Sequence, residues 1–165
     1  MLEAYGNPRP EQVNVMSVSV NLTWDTGLKF IVQLNERKIL LNSADQMDSA
    51  FTPIELFLVS LAGCTAMDVQ WILERQRQKI EHFEVSVNGK RRDEVPRAYE
   101  SIDLEYDVRG GNIRKEAVER AIRLSQEKYC SVRAMVKDSV KMNITYKISV
   151  GNKPEEKYEY KTSAS

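Results

Sequence analysis

Cysteine and histidine are scarce in this chain of 165 residues, which has two cysteines, Cys64 and Cys130, and one histidine, His82. Two cysteines do not make a disulfide framework in a chain of this length. A zinc site would need further ligands from scattered carboxylates, so we predict no metal centre and no cofactor. The thiols are either two ordinary buried side chains or a redox pair. We interpret His82 as a surface or packing residue at a strand start, and not as a general base.

Excess charge of either sign is also lacking, because 24 Lys and Arg residues balance 24 Asp and Glu residues. Nothing in this balance favours nucleic acid or an anionic membrane surface as a partner. The N-terminus lacks the basic segment and apolar run of a secretory signal, so we predict a cytoplasmic protein. One run, 54–73, is long enough to span a bilayer, but Glu55 and Asp68 would be costly there. We therefore expect no membrane insertion.

That apolar run belongs to the stretch 52–79, which is predicted to be a long helix. Thr52 is a suitable N-cap, Pro53 suits the first helical position, and Glu55 completes a capping box. The run is apolar on almost every side, whereas a surface helix would show a single apolar stripe. We infer a helix that is enclosed by protein. Cys64 lies in its middle, beside small neighbours that allow another backbone to approach closely.

The rest of the chain reads as strands and one further helix. Alternation of apolar and polar residues predicts strands at 13–24, 28–34, 37–41, 82–92, 99–109 and 140–150. A second helix is predicted from Asn112 to about Tyr129. Residues 1–12 are expected to be an arm, 13–150 the core, and 151–165 a tail that is mobile or forms a partner-facing strand. The order of elements predicts a single α+β domain over 1–165.

Two motifs resemble the OsmC/Ohr family (osmotically inducible protein C and organic hydroperoxide resistance proteins). They are PIELFLVSLAGCTAMDV at 53–69 and EKYCSV at 127–132, and the resemblance extends over most of 16–150. It is to a less characterised branch of the family. The resemblance implies antiparallel sheets wrapped around long central helices in an intertwined homodimer. It also implies a peroxidase that reduces organic hydroperoxides, with Cys64 as the peroxidatic cysteine, Cys130 as the resolving cysteine and a small dithiol as the reductant.

The sequence departs from the family pattern near the reactive thiol. The well-studied peroxidases have a Glu directly after the Pro, whereas this chain has Ile54 there and Glu55 one place later. Nine positions at about 100° each put Glu55 roughly opposite Cys64 around the helix axis and about 13 Å along it. Glu55 therefore could not reach its own Cys64 within one straight helix, so a contact would have to cross from the partner subunit or run through another residue, and its capping role accounts for it fully.

The family arginine has no clear counterpart. Lys29, Arg37 and Arg133 are the candidate cations, and each is also explained as a solvated strand or turn residue. Asp68 lies one turn after Cys64 on the same helix face. A carboxylate there would raise the thiol pKa unless a cation intervenes, or Asp68 could pair with a basic residue across the dimer.

Apolar residues around Cys64 predict a pocket that prefers bulky organic hydroperoxides to hydrogen peroxide. The candidates are Phe57, Leu61, Met67 and Trp71, although each alone is better explained as core. The alternative function is an OsmC-like dimeric binding protein that holds a small apolar or thiol ligand without turnover.

Overall fold

The computed structural model describes residues 18–43, 50–151 and 154–160. These residues form two compact units, the first ending at Pro53 and the second beginning at Ile54. The predicted arm and residues 13–17 of the first predicted strand lie outside the described residues, and residues 18–20 of that strand are described but belong to no strand. The single-domain organisation stays a prediction.

The first unit is a three-stranded antiparallel meander, as the alternating pattern predicts. Its strands are β1 (Asn21–Thr26), β2 (Lys29–Leu34) and β3 (Arg37–Asn42). Gly27 (φ +53°) and Asn35 (φ 54°) make the two turns, both in the left-handed region that these residue types tolerate. The register puts one set of apolar side chains on a common face: Leu22, Trp24, Phe30, Val32, Ile39 and Leu41.

The long helix α1 (Pro53–Arg75) belongs to the second unit except for its first residue. The helix ends four residues before the predicted end, because the chain turns at Arg77 (φ 56°) and β4 begins at Lys79. Within the chain α1 is buried on one side only: Val59 and Met67 are 51% and 70% exposed. By length and composition α1 could cross a membrane, a test that core helices of soluble proteins also pass.

A four-stranded sheet packs in this unit in the order β4 (Lys79–Arg91), β5 (Tyr99–Asn112), β6 (Lys141–Val150) and β7 (Glu156–Tyr160). The first and last pairings are antiparallel, but β5 and β6 pair in parallel, which the expected antiparallel sheets did not include. The interpretation of 151–165 as a mobile or partner-facing tail is wrong for Glu156–Tyr160, because these residues form β7, which pairs with β6 of its own chain. The α+β prediction is confirmed.

The crossover from β5 to β6 carries the second helical segment. It consists of α2 (Lys115–Leu124), a π-helical turn (Ser125–Tyr129) and the short helix α3 (Ser131–Ala134). The predicted cap at Asn112 is wrong: β5 continues through both glycines to Asn112, and Arg114 precedes α2. A parallel pair requires such a long crossover. The main core lies between α1, α2 and the sheet, with these residues at its centre: Val69, Leu73, Leu104, Tyr106, Val108, Val118, Ala121 and Ile122.

Candidate active site: two thiols and a carboxylate

Cys64, Cys130 and Asp68 converge in the second unit. The two sulfurs and one carboxylate oxygen all lie within 4.8 Å of one another. Cys64 and Asp68 come from successive turns of α1, the spacing that places two side chains on the same helix face. Cys130 comes from the crossover, 66 positions further along the chain from Cys64. Both thiols are free in this structure.

The π-helical turn delivers Cys130 to this point. The Cys130 N–H donates to the Ser125 carbonyl at 3.0 Å, which is the i to i+5 bond of a π-helix. Cys130 then leaves the helical conformation (φ −71°, ψ 100°) and precedes α3. Its sulfur accepts a hydrogen bond from the Arg133 backbone N–H at 3.3 Å. Isolated π-turns inside helices are frequent at functional sites, because they re-aim the residues that follow them.

The two thiols differ in exposure. Cys130 is 4% exposed, whereas Cys64 is half-buried. Burial raises the pKa of the Cys130 thiol to about 12, and the neighbouring Cys64 and Asp68 act in the same direction. The Arg133 N–H opposes this increase in the Cys130 pKa but does not outweigh it. Cys130 is therefore a protonated thiol near neutral pH.

A chain of buried hydrogen bonds holds Asp68 in place. Ser125 donates its hydroxyl proton to Asp68 Oδ2 at 3.1 Å. A serine hydroxyl has one proton, so the 2.9 Å bond between Thr65 and Ser125 is donated by Thr65. The same count makes Tyr106 the donor in its 2.5 Å bond to Thr65. The result is a directed chain from Tyr106 to the carboxylate.

Gln126 closes this network from the side. Its amide nitrogen donates to Thr65 Oγ1 at 3.1 Å and to the Tyr106 hydroxyl at 3.0 Å. Among the described residues, Gln126 Oε1 is a buried polar side-chain atom without a hydrogen-bond partner. Burial raises the pKa of the Tyr106 hydroxyl far above its usual range, so Tyr106 stays a donor. This polar network lies on one side of the thiols.

Apolar residues cover the opposite side. Cys130 packs with Leu61 and Ile102, both fully buried, and Cys64 and Phe57 contact this cluster. A cavity of about 200 Å³ adjoins the cluster. Its walls include Phe57, Tyr99, Ile102, Met135, Lys137 and Val140. An apolar molecule in this cavity would lie against the residues that hold Cys130.

The predicted pocket residues lie in different surroundings. Phe57 lines the cavity. Leu61 is fully buried with Cys130, and Trp71 packs against the main core. Met67 is 70% exposed, because it lies on the open side of α1. Their joint role as one pocket stays a prediction.

The predicted supporting residues are also spread over the chain. Arg133 reaches the site through its backbone N–H. Glu55 is exposed in the first turn of α1. Lys29 and Arg37 belong to β2 and β3 of the first unit, and their role as thiolate partners stays a prediction. His82 is exposed and lies 3.6 Å from Glu84, as a surface histidine would.

Sequence reasoning missed Thr65, Tyr106, Ser125 and Gln126. Thr65 and Ser125 are fully buried hydroxyl residues, and only their nearness to the two cysteine motifs could have drawn attention to them. Tyr106 was read as one apolar position of a strand. Its hydroxyl function could not be inferred without knowing which helix faces β5.

Fold and site together define a small α+β protein whose long helix and crossover supply a buried two-thiol centre. The residues 46–158 match the family model described as OsmC-like protein, so the chain belongs to the OsmC-like family. It is 34% identical over 131 residues to Protein YhfA of Escherichia coli K12, covering 79% of this chain and 98% of the relative.

Solved structures agree with this family. A hypothetical protein from Aquifex aeolicus VF5 has a TM-score of 0.74 and 32% identity, covering 82% of this chain and 98% of the other. The organic hydroperoxide resistance protein OsmC from Legionella pneumophila has a TM-score of 0.62 at 14% identity, covering 81% and 97%. The second likeness is one of fold. The predicted family is confirmed.

Proposed function

We propose that this protein is a cysteine-based peroxidase that reduces organic hydroperoxides. The carrying observation is the separation of at most 4.8 Å between the Cys64 and Cys130 sulfurs. A disulfide between these cysteines then needs only a small approach of the two side chains. Membership of a family that includes organic hydroperoxide resistance proteins supports the same reaction class.

The reaction begins at Cys64, the more exposed thiol. Its thiolate attacks one oxygen of the hydroperoxide, the O–O bond breaks, and the alkoxide leaves and takes up the thiol proton to become an alcohol. Cys64 is then a sulfenic acid. Asp68, whose carboxylate lies near the sulfur and is held by Ser125, serves as the group that takes and returns this proton.

Cys130 completes the cycle. Its thiol condenses with the sulfenic acid, which forms the Cys64–Cys130 disulfide and releases water. A small dithiol then reduces this disulfide by exchange and is itself oxidised. Cys130 lies at the break between the π-helix and the short α3, and we expect the approach of the two sulfurs to occur there. A cytoplasmic location, where thiols are kept reduced, fits the cycle.

The cysteine variants test this proposal. Wild type should consume cumene hydroperoxide with dihydrolipoamide, and Cys64→Ser should not. Cys130→Ser should reduce about one equivalent of hydroperoxide per chain and then stop, because a dithiol cannot regenerate it through the Cys64–Cys130 disulfide. Turnover that survives in Cys64→Ser would refute the peroxidase mechanism, and recycling that survives in Cys130→Ser would remove Cys130 from it.

The cavity of about 200 Å³ favours a second candidate function, namely binding of a small apolar ligand without turnover. Saturable binding of an apolar fluorophore, unchanged by Cys64→Ser and accompanied by no hydroperoxide consumption in wild type, would support this candidate over the enzyme.

We also propose a homodimer, since each unit separately exposes apolar surface. In the first unit Leu22 and Trp24 are 55% and 64% exposed on the common apolar face. In the second unit Val59 and Met67 are exposed on α1. A second copy that covers these surfaces would account for them. Sedimentation should give a dimer for wild type but not for Met67→Lys. Met135→Lys is the control, because Met135 is 76% exposed but lies outside α1, and this variant should remain a dimer.

A further inference from the structure

The cluster of Cys64, Cys130 and Asp68 is a metal-ligand set as well as a redox pair. Zinc binds thiolate sulfur at about 2.3 Å and carboxylate oxygen at about 2.0–2.2 Å. Tetrahedral geometry then puts ligand atoms about 3.5–3.8 Å apart, and the three atoms here all lie within 4.8 Å of one another. We propose that the reduced protein binds one zinc ion per chain through Cys64, Cys130 and Asp68, and that hydroperoxide expels it.

The spacing of the ligands along the chain suits this ion. Cys64 and Asp68 are four positions apart on α1, and helices present paired metal ligands at this i, i+4 spacing. Cys130 approaches from the crossover and supplies the third. Three protein ligands leave the fourth position for water, as in catalytic zinc sites.

The surroundings of the ligands are those of a prepared site. The Ser125 hydroxyl donates to Asp68 Oδ2 at 3.1 Å, and Thr65 in turn donates to Ser125. The Arg133 N–H donates to the Cys130 sulfur at 3.3 Å. Such outer hydrogen bonds fix ligand orientation and contribute strongly to metal affinity. Three acidic groups this close repel one another when ionised, and a divalent cation offsets two of the three negative charges.

The absence of a metal centre was expected because the carboxylates looked scattered in sequence. Among the described residues folding removes that objection for Asp68, which is 7% exposed and next to both sulfurs. The site differs from an exposed acidic cluster in having two soft sulfur ligands, and thiolates favour zinc over magnesium or calcium.

Bound zinc and the Cys64–Cys130 disulfide exclude one another, because zinc needs both sulfurs as thiolates. Binding of Zn²⁺ by two thiols releases two protons. An organic hydroperoxide then takes two electrons from the two thiolates, which gives the Cys64–Cys130 disulfide, and with two protons it becomes an alcohol and water while Zn²⁺ departs. The expulsion rests on the proposed peroxidase chemistry. The binding does not.

Metal binding by the full-length reduced protein tests the proposal without peroxide. Under anaerobic conditions Zn²⁺ is titrated against a chromophoric chelator, and Co²⁺ is used as a spectroscopic probe. Wild type should bind about one zinc per chain and show a thiolate-to-cobalt charge-transfer band. Cys64→Ser should lose the band. Asp68→Asn should lower the affinity for zinc by at least about 10-fold, because losing a ligand should cost no less than losing a residue that only holds a ligand in place.

Controls separate a lost ligand from a lost fold. Asn at position 68 still accepts the Ser125 hydrogen bond, and Asp103→Asn makes the same change at an exposed carboxylate that bonds Asn143. Asp103→Asn should bind zinc as wild type does. Circular dichroism checks folding; if Asp68→Asn does not fold, Ser125→Ala replaces it, with an expected loss of about 10–100-fold.

Equal zinc binding by wild type and Cys64→Ser would overturn the proposal, as would zinc affinity that is unchanged by both Asp68→Asn and Ser125→Ala. One equivalent of cumene hydroperoxide should release the bound zinc. If zinc binds as expected but no hydroperoxide is consumed after chelation, the metal site stands and the peroxidase proposal falls. If the protein turns over hydroperoxide but binds no zinc, the peroxidase proposal stands and the metal site falls.

Discussion

The hydroxyl chain behind Asp68 makes a quantitative prediction through Thr65→Val. Valine has nearly the same shape as threonine but neither donates nor accepts a hydrogen bond. Thr65 is fully buried and bonds Tyr106, Ser125 and Gln126. Its loss leaves the Tyr106 hydroxyl proton without its acceptor, and an orphaned buried group costs about 1–3 kcal/mol. We therefore expect Thr65→Val to lower the free energy of unfolding by about 2 kcal/mol.

A double-mutant cycle tests whether this cost comes from the bond to Tyr106. Tyr106→Phe removes the hydroxyl itself, and Thr65 still accepts from Gln126, so the single change should cost about 1 kcal/mol. In the double variant no tyrosine hydroxyl is left orphaned. The double variant should therefore lose about 1 kcal/mol less than the two single losses added together.

Urea unfolding at a fixed protein concentration is the assay, because an oligomer's stability depends on concentration. The Tm of Thr65→Val should be about 4–8 °C below that of wild type, since 1 kcal/mol corresponds to about 2–4 °C in a chain of this size. Thr23→Val, at an exposed position of β1, is the control and should stay within about 0.5 kcal/mol of wild type. Strict additivity, or a Thr65→Val change as small as the control, would refute the directed chain.

Three further predictions concern backbone, charge and cavity. Gly110→Ala should cost about 2 kcal/mol or more in urea unfolding, because a Cβ there would collide with the first backbone carbonyl of β4. Hydrogen bonds from the lysines of β6 and β7 lower the pKa of Glu105 to about 2 from 4.5, so its stabilisation is present above pH 4.5 and is lost as pH falls towards 2; the difference in unfolding midpoint between wild type and Glu105→Gln should vanish over that range. Ala98 lines the cavity, so Ala98→Phe narrows it and should raise the KM for cumene hydroperoxide more than the KM for hydrogen peroxide in peroxidase assays. An equal change in both KM values would show that the organic hydroperoxide does not bind in this cavity.

Local patterns in the sequence carried the elements whose causes are local. Period-two alternation predicted β1 to β3, and the residues around Pro53 predicted the start of α1. The second helix was predicted to run to about Tyr129, where the helical segment does end, but the π-helical form of its last turn was not predicted. Ser125–Tyr129 continues α2 as a π-helix, and its wider hydrogen-bond step leaves no mark in apolar periodicity.

The site depends on contacts between distant parts of the chain, and these could not be read from spacing. Asp68 was expected on the same helix face as Cys64, and the 4.8 Å cluster agrees with this expectation. The nearness of Cys130 depends on the parallel β5–β6 pairing and its crossover. Alternating patterns do not distinguish parallel from antiparallel neighbours, so the sequence supplied the two thiols but not their separation.

The place of Cys64 on α1 explains how one thiol can meet both a peroxide and a second thiol. At about 100° per residue, the buried Leu61, Thr65 and Asp68 lie about 40–100° to one side of Cys64 around the helix axis. The exposed Ser60 and Met67 lie about 40–60° to the other side. Cys64 is therefore at the border between the two faces. A thiol one position earlier would turn away from Cys130 and Asp68, and one position later it would be sealed in the core. Within one chain, position 64 therefore combines partial exposure with contact to the buried partners, and a second copy on α1 has to leave this position open for either proposed chemistry.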